Sequence, residues 1–234
     1  MEEIDTLVKD TVQAAKTVTE EATEKTLSII ELITSGGVGG NLVMGTLGIL
    51  SIFAIYILIE RYSAIKKASK EDKSFLKSIQ NFVEAKDIEA AKTLCKNTDS
   101  PISRMIEKGV NRIDKPMTDI SAAIENQGKL EVFKMENNLA NLATISGAAP
   151  MIGFLGTVIG MIVAFHEMAS AGGNIDVAML SQGIYTAMVT TVAGLVVGII
   201  AFIAYNYLVS KVDKVVFMLE AKTTEFLDLL HHNE

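Results

Sequence analysis

Three long apolar runs without a charge interrupt a chain that is otherwise polar and patterned for helices. Leu42 to Ile59 spans 18 residues, Leu142 to Phe165 spans 24, and Val177 to Val209 spans 33. Each is long enough to cross a hydrocarbon layer of ~30 Å at ~1.5 Å per residue. The third, as one helix, is ~50 Å long and projects beyond the bilayer. A helix satisfies its own backbone hydrogen bonds in lipid, so the runs predict three transmembrane helices. Three separate charge-free runs of this length weigh against the alternative, three buried helices of a soluble protein.

Between the first two runs the pattern is helical. "DKSFLKSIQNFVEAKD" and "IEAAKTLCKN" predict a short helix pair. Ser100 before Pro101 is a cap followed by proline at the first helical position. Pro116 precedes "TDISAAIENQGKLEVFKMENNLANLA", which is expected to run straight into the second span. After the third span, Leu208, Val212, Val215, Leu219, Phe226 and Leu230 form a heptad-like seam with Thr223 at the missing position. The seam can pack against the helix entering span two or against a neighbouring subunit. The expected fold is all-α: an integral membrane protein with three transmembrane helices, long helices extending into the cytoplasm, and a helical cytoplasmic domain. Its parts are an outer N-terminal segment over 1–40, span one over 41–60, the helical domain over 61–140, span two over 141–166, an outer loop over 167–176, span three over 177–209 and a C-terminal helix over 210–234. Within the first part, 1–34 is expected as a partly amphipathic helix, followed by a glycine hinge at "SGGVGGN".

Charge sets the orientation. The net charge is −7, but residues 61–140 carry fifteen Lys/Arg against twelve acids. Arg61, Lys66, Lys67, Lys70 and Lys73 follow span one, whereas "HEMASAGGNID" between spans two and three has no Lys or Arg. The positive-inside rule then places 61–140 and the C-terminus in the cytoplasm. The acidic start, "MEEIDTLVKD", lacks the basic and apolar regions of a signal peptide. No basic face with interleaved aromatics points to nucleic acid, and Trp is absent. The single cysteine, Cys95, is read as a packed thiol. His166, His231 and His232 have no second ligand at metal spacing, so neither a metal nor another cofactor is expected.

The spans carry small residues at helical spacing. Ala149, Gly153, Gly156, Gly160 and Ala164 form one stripe on span two; Ala187, Thr191, Gly194, Gly198 and Ala201 form another on span three. Such stripes let helix backbones approach in lipid. Gly153, Gly156, Gly160, Gly183, Gly194 and Gly198 are therefore candidate packing residues. Thr157 lies beside the first stripe, Thr186, Thr190 and Thr191 cluster on span three, and Pro150 frees a carbonyl early in span two. Together they are candidates for a polar track. A hydroxyl donates and accepts hydrogen bonds but holds no exchangeable charge near neutral pH. A hydroxyl track therefore implies that any titrating group belongs to another chain. His166 and Glu167 end span two, and Glu60 and Arg61 end span one, as interfacial groups; His166 has the alternative of lying near a proton entry.

"APMIGFLGTVIGMIVAF" and "GIYTAMVTTVAGLVVGIIAFIAYN", over roughly 147–208, resemble the MotA/TolQ/ExbB proton-channel family, closest to its ExbB and TolQ branches. Span one and the helical domain agree in layout. The resemblance implies a ring subunit of a proton-driven motor in the bacterial inner membrane, N-terminus periplasmic. It implies a homo-oligomer, a pentamer, around an ExbD- or TolR-like single-span dimer whose Asp carries the proton, with a TonB- or TolA-like protein as a further partner. Carried over, Thr157 and Thr191 are expected to face that Asp; Pro150, Gly153, Gly156, Gly160, Gly183, Gly194 and Asn206 also match. Thr186 stands where many relatives have Glu. The rival readings are a helical scaffold that anchors a partner without conducting, and an intramembrane enzyme, for which the spans hold no nucleophile–base pair or metal-ligand set.

Overall fold

The computed structural model describes residues 37–69, 73–170 and 177–232. Among the described residues there are seven helices and no strand. They are α1 Gly37–Ala68, α2 Lys73–Glu84, α3 Ile88–Asn97, α4 Pro101–Val110, α5 Met117–Glu136, α6 Leu139–Ser170 and α7 Val177–His232. The helix expected over 1–34 lies outside the described residues, as does most of the loop expected over 167–176. Gly37 to Asn41, expected as part of a hinge, are the opening turn of α1. A reason is visible at Gly39, where a Cβ would stand 2.9 Å from Ile159 Cγ2 of α6, so the missing side chain admits α6.

Three helical stretches are long and apolar enough to cross a membrane. Their outward faces expose Ile52 and Ile55 on α1, Phe154 and Ile162 on α6, and Ile199 and Phe202 on α7. A helix that is apolar all round needs an apolar surrounding on every side, which water does not provide. The chain is thus an all-α membrane protein.

The spans meet through small residues. Helices α6 and α7 run antiparallel. A Cβ built at Gly194 would lie 2.6 Å from the Ala149 carbonyl oxygen and 2.8 Å from Gly153 Cα. One at Gly160 would lie 2.9 Å from Ala187 Cβ, and one at Gly183 would lie 2.5 Å from Ala164 Cβ. The Pro150 ring fills the space beside Gly198, whose Cβ would stand 2.6 Å from Pro150 Cγ. Helix α1 covers the pair with Val43 and Leu47, which are buried with Ala149.

Beyond the spans the helical domain forms around one side of α7. Asp87 caps α3 by accepting from Ala90 N at 3.0 Å. Ser100 and Ser103 form a reciprocal cap at the start of α4, with Pro101 at its first position. Ile79, Ala91, Cys95, Ile106 and Ile124 are buried in the same core as Leu208, Val212, Val215, Leu219, Phe226 and Leu230 of α7. The C-terminal seam is therefore filled within the chain. Gly109 is the notch for Phe226: a Cβ there would sit 2.9 Å from the ring and 2.7 Å from Ile124 Cδ1. Burial raises the Cys95 thiol, with help from the Glu107 charge, to about 12, so it stays a neutral packed group.

The expected continuous run into span two is corrected. Helix α5 ends at Glu136 and α6 begins at Leu139, with Asn138 at φ 65° between them. Asn tolerates this left-handed conformation better than most residues. The break exposes the terminal carbonyls of α5, and Arg61 Nη1 donates to that of Lys134 at 2.9 Å. Arg61 also binds Glu60. The Glu131 side chain is only 2% exposed and accepts from Arg104 Nη2 at 2.7 Å, Arg104 Nε at 3.0 Å, Lys134 Nζ at 2.9 Å and Gln127 Nε2 at 2.8 Å. Arg104 Nη1 reaches Asp99 at 2.7 Å, and Asp99 binds Lys67 at 2.6 Å. These groups tie α1, α4 and α5 together. Burial pushes the Glu131 carboxyl up, but the hydrogen bonds and charges of Arg104 and Lys134 outweigh it and hold the group below its ordinary value.

Gly194→Ala should destabilise the detergent-solubilised protein by ~1–3 kcal/mol through overpacking. Gly147→Ala, where a Cβ meets nothing within 4 Å, should be neutral or stabilising in the same thermal melt. Because the folded Glu131 lies below its ordinary 4.5, its stabilisation is complete above that pH and lost as the pH falls through the folded value. The gap in melting temperature between the wild type and Glu131→Gln should hold from pH 7 to 5 and close on further acidification. At pH 7, Arg104→Met should cost on the order of 2–3 kcal/mol, discounted for its partial exposure from the range for breaking a buried pair.

Candidate functional site

Close approach of α6 and α7 carries hydroxyls of one helix onto the backbone of the other. At Gly153 a Cβ would stand 2.8 Å from the Thr190 carbonyl oxygen and 3.2 Å from Thr191 Cα. With no side chain there, the Gly153 carbonyl oxygen is open sideways to α7. Within hydrogen-bond reach of it are Thr191 Oγ1 at 3.2 Å, Thr190 Oγ1 at 3.3 Å and, from its own helix, Thr157 Oγ1 at 3.4 Å. Thr157 Oγ1 and Thr191 Oγ1 are hydrogen-bonded to each other, and either atom can donate.

That arrangement has two proton orders. Thr157 donates to Thr191 while Thr191 donates to Gly153, or Thr191 donates to Thr157 while Thr157 donates to Gly153. In each order the hydroxyl that only donates keeps both lone pairs and the other keeps one, acceptor capacity that the protein does not use. Rotation of two C–O bonds interconverts the orders without breaking a covalent bond. Both threonines are half-buried.

The sequence-selected residues separate into groups. Thr157 and Thr191 come together, with Thr190 behind them. Thr190 is 2% exposed and shares its one hydroxyl proton between Gly153 O and Ala187 O, the latter nearer at 2.7 Å, so its hydroxyl is used inside the hairpin. A Cβ at Gly156 would stand 2.5 Å from Thr190 Oγ1, so that glycine makes room for it. Thr186 lies one turn or more away and donates to Gln182 O at 3.1 Å and Gly183 O at 3.0 Å of its own helix. Pro150 packs against Gly198 rather than reaching the hydroxyls. The carbonyl that Pro150 leaves without its helical donor is that of Ser146, and a Cβ at Gly198 would lie 3.0 Å from it. Asn206 donates to Phe202 O at 2.8 Å, and His166 is exposed.

Two features escaped the sequence reading. The Gly153 carbonyl is an acceptor shared by three hydroxyls, and a glycine in a small-residue stripe gives no hint of that. Glu131 could have been found: it occupies a core position in the series Ile120, Ile124, Gly128, Glu131, Met135, where a charge requires a partner. Neither is a metal site, and among the described residues no group of three or more His, Cys, Asp or Glu is placed to hold an ion.

Comparison with known proteins agrees with this architecture. A biopolymer transport ExbB homolog of Methanothermobacter thermautotrophicus is 27% identical over 187 residues, which cover 80% of this chain and 64% of the relative. The chain thus spans somewhat less than two thirds of that protein. The Tol-Pal system protein TolQ of Pseudomonas aeruginosa is 25% identical over 215 residues, 87% of this chain and 93% of that protein. The biopolymer transport protein ExbB of Helicobacter pylori is 40% identical over 79 residues, 34% of this chain and 54% of that protein. Members of this group are channel or scaffold subunits rather than enzymes. Residues 97–221, which include the helical domain from α4 onward, both stripes and all four threonines, match the MotA/TolQ/ExbB proton channel family, and the chain belongs to that family.

Proposed function

We propose that this chain is the ring-forming subunit of a proton-driven motor in the inner membrane. It works with an ExbD- or TolR-like single-span dimer, and through a TonB- or TolA-like protein it powers transport or other work at the outer membrane. The ring is a homo-oligomer, a pentamer by the family resemblance, with residues 61–140 and the C-terminus on the cytoplasmic side. The observation that carries this reading is the half-buried Thr157–Thr191 pair, in spans that hold no charge of their own.

The chemistry divides between two chains. The partner's carboxyl carries the proton. Neutral, it donates to whichever threonine oxygen has a free lone pair. Ionised, it accepts from a hydroxyl that turns away from Gly153 or from its neighbour. A carboxylate at the membrane centre costs ~2.5–3.5 kcal/mol on insertion scales, so a donor there lowers the cost of ionisation. Each proton crossing 100 mV releases about 2.3 kcal/mol, enough to drive a step of the inner pair against the ring. Thr186, where many relatives have Glu, is occupied with its own helix, in keeping with an acid supplied only by the partner. Thr190, held inside the hairpin, belongs to packing in this reading, as do Pro150 and the glycines.

Thr157→Val and Thr191→Val keep side-chain volume and remove the hydroxyl. Assembled with the partner, each should lower proton-driven work about tenfold or more while the complex stays intact, the effect of a lost donor worth ~1–3 kcal/mol. Full activity in both would overturn the site. The ring alone, reconstituted in liposomes under an imposed pH gradient, should show no selective proton influx. Robust influx would place the carrier within this chain and sink the division of labour. An intact complex with no proton-coupled work even in the wild type would favour the scaffold.

A further inference from the structure

A second site lies where α1 and α7 leave the apolar layer. A cavity of about 350 Å³ opens there between the two helices. Ile65 and Leu208 form its apolar floor, and Tyr62, Ser69, Lys66, Lys211 and Lys214 form its walls. Tyr62 stacks on Tyr207 with centroids 6.3 Å apart, which fixes the two helices side by side. Lys66 Nζ lies 5.9 Å from the Tyr62 ring centre and Lys211 Nζ 5.3 Å from that of Tyr207. Among the described residues, no carboxylate forms a salt bridge with Lys66, Lys211 or Lys214.

Depth identifies the occupant. The apolar runs end at Ile59 and Val209. At ~1.5 Å per residue, Lys211, Lys214 and Lys66 lie roughly 3, 8 and 10 Å beyond those ends. The headgroup layer on each face is roughly 5–8 Å thick, and lysine side chains reach several ångströms along it. The tyrosines sit at the level where aromatic side chains collect in membrane proteins. Three cations without a salt-bridge partner, a polar hydroxyl and an apolar floor at the edge of the hydrocarbon layer match one ligand chemistry: a phosphate diester with acyl chains attached.

We propose that the α1–α7 cavity binds the headgroup of an anionic phospholipid. The phosphate lies among Lys66, Lys211 and Lys214, Ser69 donates to it, and the chains run toward the exposed apolar faces of α1 and α7, which carry Ile59 and Ile203. Binding there clamps α1 to α7 one layer below the hydroxyl pair and is independent of the proton-carrying role.

The test uses the whole chain purified in neutral detergent. Phosphatidylglycerol, phosphatidylcholine and inorganic phosphate are added separately at equal phosphate concentration, and the lipid retained is counted by native mass spectrometry. Phosphatidylglycerol should be retained and should raise the melting temperature; the other two should not. Each of Lys66→Gln, Lys211→Gln and Lys214→Gln should weaken retention about fivefold, the effect of one cation near an anionic surface. The triple Arg variant keeps the charge and should retain the lipid, which separates lost binding from lost folding. Gln at Lys77, Lys96 and Lys108 together should leave retention unchanged. Retention in the three single Gln variants equal to that of the Lys77, Lys96 and Lys108 triple, or equal stabilisation by inorganic phosphate, would overturn the proposal.

Discussion

Between Gly153 and Gly194 two antiparallel helices meet with no side chain between them, and the positions of the Thr157, Thr190 and Thr191 hydroxyls follow from that contact. Lipid offers no hydrophobic gain for bringing helices together, so the association draws on dispersion across matched surfaces. Six glycines supply those surfaces. Gly153 opens a carbonyl to the neighbouring helix, Gly156 makes room for a hydroxyl, Gly194 admits a backbone, and Gly160, Gly183 and Gly198 receive two alanines and a proline ring. A single Cβ at the centre would push the hydroxyls of α7 away from the carbonyl they share.

At each of the three threonines the hydroxyl lies within reach of the Gly153 carbonyl. Thr190 uses its one proton inside and stabilises. Thr157 and Thr191 use theirs at the edge and leave an acceptor open. Three chemically identical side chains thus divide into one structural and two available groups because of burial alone.

Much of this was legible in the sequence. Charge-free runs announced the spans, the spacing of small residues announced the α6–α7 contact, and Ser100-Pro101 announced a helix start. The heptad-like seam from Leu208 to Leu230 was also visible, though whether it packs within the chain was not, since periodicity shows a face and never its partner. The break at Asn137–Asn138 was missed because both residues are tolerated in helices and only φ distinguishes them. Gly153 as a shared acceptor was hidden because the functional atom is a carbonyl, which every residue has. The Arg104–Glu131 pairing required a fold to bring residues from α4 and α5 together.

Helix α7 runs unbroken from Val177 to His232, ~84 Å of one backbone. It carries Thr191 near one end and Phe226, seated in the Gly109 notch, near the other. Some 35 residues, or ~50 Å, separate them. Such a rod acts as a pointer: a lean of about 5° at the threonine would displace the Phe226 ring by ~4 Å over that length, more than the notch can accommodate without its walls following. Small events deep in the lipid would thereby become ångström-scale travel in the water-exposed domain.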